Sequence, residues 1–313
     1  MELRNLGQSG LRVSKVGLGC NNFGGKVDNA ASKRIIDAAL DAGINFLDTA
    51  DVYGGFGGSE AAIGEALGTR RQHVVVGTKF SYPMDKEGKK KGGSRSYVIS
   101  ALEDSLRRLK TDWIDLYQMH FPDPLTPIEE TLRALDDAVT QGKVRYIGFS
   151  NFAGWQIADA AWISRTSHRT AFISAQDEYS LLFRDVEKEA LPAARRFGLG
   201  FLPYFPLASG LLTGKYQAGS PPPAGSRFAT TMLGRKHAQY SGFEKIDRLK
   251  AFAAERNHSL LELAFSWLAR QPVVSSVIAG ATNPEQALQN AVAADWILSN
   301  QDLADIDELL SES

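Results

Sequence analysis

The amino-acid sequence predicts an α/β chain folded as a (β/α)8 TIM barrel with an N-terminal β-hairpin and accessory C-terminal helices. Three observations carry this. Eight runs of strand-forming residues alternate with helical apolar spacings along the 313 residues. No G-x-G-x-x-G follows the first run, which removes the main signature of an open doubly wound sheet. Several runs end on residues capable of acid–base chemistry, as the C-terminal rim of a barrel enzyme requires.

Taken in order, Leu3 to Leu6 and Leu11 to Lys15, separated by Gln8-Ser9-Gly10, read as a hairpin that plugs one end of the barrel. Barrel strands follow at Val16 to Cys20, Ile44 to Asp48, Val74 to Lys79, Trp113 to His120, Val144 to Ser150, Ala171 to Gln176, Gly200 to Pro206 and Ser275 to Gly280. The first helix places Ile35, Ile36, Ala39 and Leu40 on one face and stops at Asp41-Ala42-Gly43. Further helices are predicted over Glu60 to Leu67, Tyr97 to Leu109, Ile128 to Gln141, Trp155 to Ser164, Val186 to Phe197, Leu260 to Ala269, Pro284 to Ala293 and Leu303 to Leu310. The alternation persists, so residues 1–313 read as one domain. Gly219 to Ser226, GSPPPAGS, reads as a long loop above the rim that covers a ligand, and Lys86 to Lys91, KEGKKK, as a solvated turn. Trp155, Trp162 and Trp296 fall on outer helices, whose apolar faces are expected to pack on the barrel; the oligomeric state is unknown from sequence.

Composition narrows the function classes. A net charge of −1 gives no general pull toward nucleic acid or membrane. No stretch approaches the ~18 apolar residues of a membrane span, and the start MELRNLGQSG lacks the apolar core of a signal peptide. Cytoplasmic residence is the expectation. Cys20 is the single cysteine, so neither an intrachain disulfide nor a cysteine metal cluster can form.

Asp48, Lys79 and His120 each end a strand run, and Tyr53 follows Asp48 in a Gly-rich loop. On a barrel rim an acid, a phenol, an amine and an imidazole would converge. A tyrosine, with an ordinary pKa of ~10, exchanges protons poorly near neutrality unless a cation favours its phenolate. Lys79 is placed to supply that cation, Asp48 to keep Lys79 charged, and His120 to donate a hydrogen bond to a substrate oxygen or act as the acid itself. Singly, each fits a structural role, as ion pair, core histidine or loop aromatic. Four on one rim point to chemistry.

These positions lie in longer stretches. FLDTADVYGGFGGSEAAIGEAL, Phe46 to Leu67, resembles the most diagnostic segment of the aldo-keto reductase family, and VGTK ending at Lys79, DLYQMH at Asp115 to His120 and IGFSN at Ile147 to Asn151 resemble its other fixed stretches in the same order. The resemblance spans nearly the whole chain and is to the short-C-terminus bacterial type, related to the potassium channel beta-subunit branch.

That resemblance implies NADPH-dependent reduction of a small-molecule carbonyl, with NADH as a possible alternative cofactor and no metal. Hydride passes from the nicotinamide, Tyr53 donates the proton, Asp48 and Lys79 tune Tyr53, and His120 orients the carbonyl. Ser150, Asn151 and Gln176 would hold the carboxamide, and Tyr204 would stack on the nicotinamide. The loop carrying Pro206, Leu207, Ser209, Gly210 and Leu211, with Lys215, would hold the diphosphate. Gly280, Thr282 and Gln286 would meet the adenosine phosphate, and Gln289 and Asn290 the adenine. Asn283 is also a natural cap for a helix opening at Pro284, a terminus that attracts phosphate.

Gly280 to Asn290 contains no basic residue, so Arg227 is the expected partner of a 2′-phosphate. Phe23, Phe80 and Phe121, beside Tyr53 and His120, are expected to line the substrate pocket. The chain ends soon after Leu310, without the long terminal loop of steroid-reducing relatives, which implies an open pocket suited to small aldehydes, dicarbonyls or sugars. Two alternatives share these residues: a sugar or polyol dehydrogenase working oxidatively, and a non-enzymatic cofactor-sensing subunit.

Overall fold

The computed structural model describes residues 1–215 and 242–311. Gly219 to Ser226 and Arg227 lie outside the described residues. The hairpin forms from β1 (Leu3–Asn5) and β2 (Arg12–Ser14), paired antiparallel. Eight parallel strands then close a barrel: β3 (Val16–Gly19), β4 (Phe46–Asp48), β5 (Val75–Phe80), β6 (Ile114–Met119), β7 (Val144–Ser150), β8 (Ser174–Glu178), β9 (Gly200–Tyr204) and β10 (Val277–Gly280). Neighbours follow chain order, and β10 closes the ring between β9 and β3. This is the predicted (β/α)8 barrel, with strand ends shifted by up to three residues.

Side chains alternate along each strand, so every second residue points into the barrel. Phe46, Leu116, Leu202 and Ile278 form a buried apolar layer inside it, joined from below by Leu6 and Val13 of the hairpin segment. The hairpin therefore plugs the N-terminal end, as expected. Asn45, read as strand, instead ties the plug to the barrel: its Oδ1 accepts from Ser14 N at 2.7 Å and its Nδ2 donates to Arg12 O at 3.2 Å. Two residues above the apolar layer stand Asp48, Gln118 and Tyr204; Lys79, registered with Gln118, and Gln176, registered with Ser150, both reach Asp48 with their side chains. Period-two alternation thus stacks a polar layer on an apolar one.

The outer helices bury one stripe each. In Asn29–Asp41 it is Ser32, Ile35, Ile36 and Ala39, and the helix is capped by Asp28, whose carboxylate accepts from Ala31 N at 2.7 Å. A helix at Phe243–Glu255, not anticipated from sequence, buries Ile246, Leu249, Phe252 and Ala253. The tryptophan expectation holds as made for none of the three: Trp155 and Trp162 do not pack on the barrel, and Trp296 lies beyond the end of the helix Pro284–Val292. Helix Gly154–Thr166 turns Ile157, Ala160 and Ser164 inward, so Trp155 and Trp162, seven residues apart, face solvent at 67% and 53% exposure. Trp296 stacks on His258 at 4.1 Å. The KEGKKK segment is a turn, with Asp85 accepting from the backbone of Lys89 and Lys90. No helix among the described residues is long and apolar enough to cross a membrane.

Candidate active site

A cleft of about 880 Å³ opens at the C-terminal ends of the barrel strands. Its floor is the polar layer. Asp48 and Lys79, 4% and 1% exposed, form a two-point ion pair: Lys79 Nζ donates to Oδ1 at 2.8 Å and Oδ2 at 2.7 Å, and its third proton goes to Thr49 O at 2.9 Å. Gln176 Nε2 donates to the same Oδ1 at 3.0 Å and Gln118 Nε2 at 3.4 Å. Two buried charges are tolerable only with their hydrogen-bonding capacity filled, and this pair meets that condition.

Tyr53 and His120 stand above the pair. Their rings meet edge-on at 5.7 Å, and Lys79 Nζ lies 5.4 Å from the Tyr53 ring centroid. Four residues expected on one rim are thus brought together. One expectation is reversed. Burial, with the Asp48 and Asp51 charges, pushes the Tyr53 hydroxyl well above its ordinary pKa rather than below it. Burial is the dominant cause, and the Lys79 protons go to Asp48 and Thr49. In this state Tyr53 is a neutral phenol that retains its proton. Burial and, secondly, the Lys79 charge push His120 well below the ordinary imidazole range, so it is neutral too. His120 Nδ1 is buried without a hydrogen-bond partner.

Behind this group lies Asp51, 1% exposed, with neither carboxylate oxygen hydrogen-bonded. Burial and the neighbouring Glu60 charge raise it to about 8, against the opposing pull of Arg108. Glu60 is satisfied, accepting from Thr78 Oγ1 at 2.6 Å and Arg108 Nε at 2.7 Å.

The anticipated cofactor residues fall along one arm of the cleft. Ser150, Asn151, Gln176, Tyr204, Pro206, Leu207, Ser209, Gly210, Lys215, Gly280, Thr282, Gln286, Gln289 and Asn290 all line it. Leu211 is fully buried behind the wall. The helix Pro284–Val292 starts as its sequence suggests, with Asn283 Oδ1 accepting from Gln286 N at 2.9 Å. Gln286 Oε1 in turn accepts from Thr282 N at 2.9 Å and Thr282 Oγ1 at 3.0 Å. A cleft of about 880 Å³ lined by an aromatic ring and amides near the ion pair, and by residues of a helix N-terminus, suits a dinucleotide in polarity and volume.

Of the anticipated pocket phenylalanines, Phe121 lines the cleft, whereas Phe23 and Phe80 are fully buried in the core. Phe80 follows inward-pointing Lys79, so alternation turns it out of the barrel, where it stacks on Tyr117 at 4.7 Å. Sequence reasoning missed Asn21, Asn22, Lys26 and Tyr82, which also line the cleft. Asn21 and Asn22 follow the β3 end, so the rim rule could have found them. Tyr82 packs on His120 at 5.8 Å and on Phe121 at 5.6 Å. On the other side the loops after β3 and β4 meet backbone to backbone. A Cβ on Gly24 (φ +65) would stand 2.3 Å from the Gly58 carbonyl carbon, and one on Gly54 2.4 Å from Phe23 O.

A closed parallel barrel with a cleft at its C-terminal rim and a buried ion pair at its floor has the layout of a barrel enzyme. Comparison with known proteins gives the particular kind. The sequence profile of the Aldo/keto reductase family matches residues 15–311. A probable voltage-gated potassium channel subunit beta from Oryza sativa subsp. japonica is 40% identical over 309 residues, covering 95% of this chain and 92% of the rice protein. An uncharacterized oxidoreductase, YrpG, from Bacillus subtilis (strain 168) is 38% identical over 320 residues, covering 99% of this chain and 96% of its own. A probable voltage-gated potassium channel subunit beta from Arabidopsis thaliana is 38% identical over 309 residues, covering 95% and 92%. The chain belongs to the aldo/keto reductase family, and it is an oxidoreductase of the class that reduces small-molecule carbonyls with NAD(P)H.

Proposed function

We propose that this protein reduces small aldehydes and ketones to alcohols with NADPH, Tyr53 giving the proton. The observation that carries the reading is the convergence of Asp48, Lys79, Tyr53 and His120 at the floor of one cleft, beside its amide- and ring-lined arm. Bound nicotinamide supplies the hydride. Ser150, Asn151 and Gln176 would hold its carboxamide and Tyr204 its ring, with Lys215 toward the diphosphate, Thr282 and Gln286 toward the adenosine phosphate, and Gln289 and Asn290 toward the adenine.

The chain's own residues then have distinct tasks. Tyr53, a neutral phenol, holds the proton that the carbonyl oxygen takes as negative charge develops on it. Neutral His120 donates a hydrogen bond that orients that oxygen. The Lys79 ammonium, fixed by Asp48, sets a positive potential under the Tyr53 ring and offsets the phenolate left after transfer. Donors preset where charge develops lower the barrier more than donors that must reorganise. Tyr82 and Phe121 give the substrate side an aromatic wall.

NADPH consumption with a panel of aldehydes, dicarbonyls and sugars, alongside a Tyr53→Phe control, tests this. Turnover by the wild type, lost at least ~100-fold in the control with NADPH binding retained, supports it; full turnover in the control overturns it. Arg227 is the proposed partner of the 2′-phosphate, tested by NADPH and NADH titrations of Arg227→Ala. Equal affinity for both cofactors, unchanged in the variant, overturns it. A second reading, a cofactor-sensing subunit, is favoured by the likeness to the two plant potassium channel beta subunits. Tight NADPH binding without turnover of any carbonyl or alcohol, together with recovery of a stoichiometric membrane partner, would select it.

A further inference from the structure

Tyr204 does more in this structure than present a ring to the cleft. Its hydroxyl donates to Asn151 Oδ1 at 2.8 Å. Asn151 Nδ2 donates at 2.9 Å to the backbone carbonyl of His120 and at 3.0 Å to Ser150 Oγ. Ser150 Oγ donates onward to the Gln176 carbonyl at 2.7 Å. The orientation of the Asn151 amide follows from its partners. A carbonyl can only accept, and the Ser150 proton is committed to Gln176, so the NH2 group must face His120 and Ser150. The oxygen is left for Tyr204. Asn151 also holds a left-handed backbone, φ 62, which an asparagine adopts more readily than most residues but still at some cost. A strained amide with both protons engaged, linking the ends of β6, β7 and β9, is a strut, and its Oδ1 keeps a second lone pair for a carboxamide.

The strut matters because of what holds His120. Its ring Nδ1 is buried without a partner, so no bond at that nitrogen fixes the imidazole. The ring is placed by contacts with Tyr53 and Phe121 and by its backbone, whose N–H donates to Phe80 O at 2.8 Å. The Asn151 bond holds the carbonyl of the same residue.

We propose that the Tyr204 hydroxyl is a positioning group for His120, acting through Asn151, separately from any stacking by its ring. This rests on the carbonyl-reduction reading for its catalytic consequence, though not for its geometry. Tyr204→Phe keeps the ring and removes the strut's anchor. With saturating NADPH we expect kcat to fall ~5- to 10-fold, the worth of one net hydrogen bond, while the NADPH dissociation constant changes less than ~2-fold. Asn151→Ala should lower kcat at least as much, and Tyr204→Phe added to it should cost nothing further, because both changes cut one strut.

A readout independent of turnover is the imidazole 15N–1H spectrum of histidine-labelled protein, with the His120 signals identified by their loss in His120→Asn. Tyr204→Phe should shift those signals and leave the other histidines in place. Unshifted His120 signals, losses that multiply in the double variant, or a Tyr204→Phe defect confined to NADPH affinity would each overturn the proposal. A wild type that reduces no carbonyl would instead sink the functional reading, and the spectra would still decide the strut.

Discussion

Replacing Lys79 by Met keeps the side chain's length and removes its charge, leaving Asp48 buried beside a thioether. Three ammonium bonds of 2.7 to 2.9 Å disappear, two of them from Asp48. Breaking a buried ion pair by removing one partner costs ~3–5 kcal/mol, most of it the penalty on the stranded charge. Here the Gln176 amide remains at 3.0 Å from Oδ1, and Gln118 at 3.4 Å can close in, so the loss should sit near the lower end, ~3 kcal/mol. Adding Asp48→Asn removes the stranded charge, and the double variant should regain ~1–2 kcal/mol of that loss. Urea unfolding read by both far-UV dichroism and tryptophan fluorescence gives the midpoints, and coincident transitions license the free-energy comparison. A Lys79→Met loss under ~1 kcal/mol would refute the reasoning. So would a double variant less stable than the single, since the charge on Asp48 could not then have been the source of the cost.

The two titratable groups beside the site make opposite demands on pH. Asp51 is raised to about 8 in the folded state from an ordinary 3.8, so it destabilises the fold progressively as pH rises from 3.8 to about 8. Asp51→Asn should therefore gain on the wild type by up to ~1.4 kcal/mol per pH unit through that window and no further above it, whereas parallel unfolding midpoints at pH 5, 6.5 and 8 would remove the buried acid from the account. His120 is depressed, so its contribution is present above ~6.5 and is lost as pH falls through the unfolded value toward the folded one. A His120→Asn variant should lose less stability than wild type between pH 6.5 and 5, and an identical slope would argue that His120 protonates freely in the fold. Gly24→Ala meets the Gly58 backbone at 2.3 Å from a left-handed φ of +65, so it should cost ~2–4 kcal/mol; a variant melting with the wild type would show that the loops can part.

Much of this was legible in the residues because a parallel barrel writes a repetitive pattern. Buried strands such as β5 and β6 are runs of strand-forming residues, mostly apolar though broken by Thr78, Asp115 and Gln118, so Lys79 and His120 were found at or just past their ends. The same rule erred where polar residues continue a strand: Asp177 and Glu178 read as a break, yet Glu178 pairs with Tyr204 inside the sheet. It also carried Phe80 to the rim, although alternation sends a residue after an inward lysine outward. Trp155 and Trp162 share a helix face, but only the positions of Ile157, Ala160 and Ser164 say that this face is the outer one. The acidity of Tyr53 lay beyond the sequence, because it depends on how deeply the closed barrel buries the phenol beside Asp48. So did the strut, since Tyr204 and Asn151 are 53 residues apart and meet only when the barrel closes.

The backbone-to-backbone seam between the loops after β3 and β4 divides the cleft mouth into unequal jaws. On the Tyr53 side Gly24, Gly54 and Gly58 leave no room for side chains in the seam, so that jaw is set by main chain and can change little without coming apart. The opposite jaw is made of the Tyr82 and Phe121 side chains, 43% and 40% exposed, whose tilted rings touch each other and the His120 ring. Variation in what this cleft admits is therefore expected to be recorded on one side of it, leaving the proton-handling side the same from one descendant to the next.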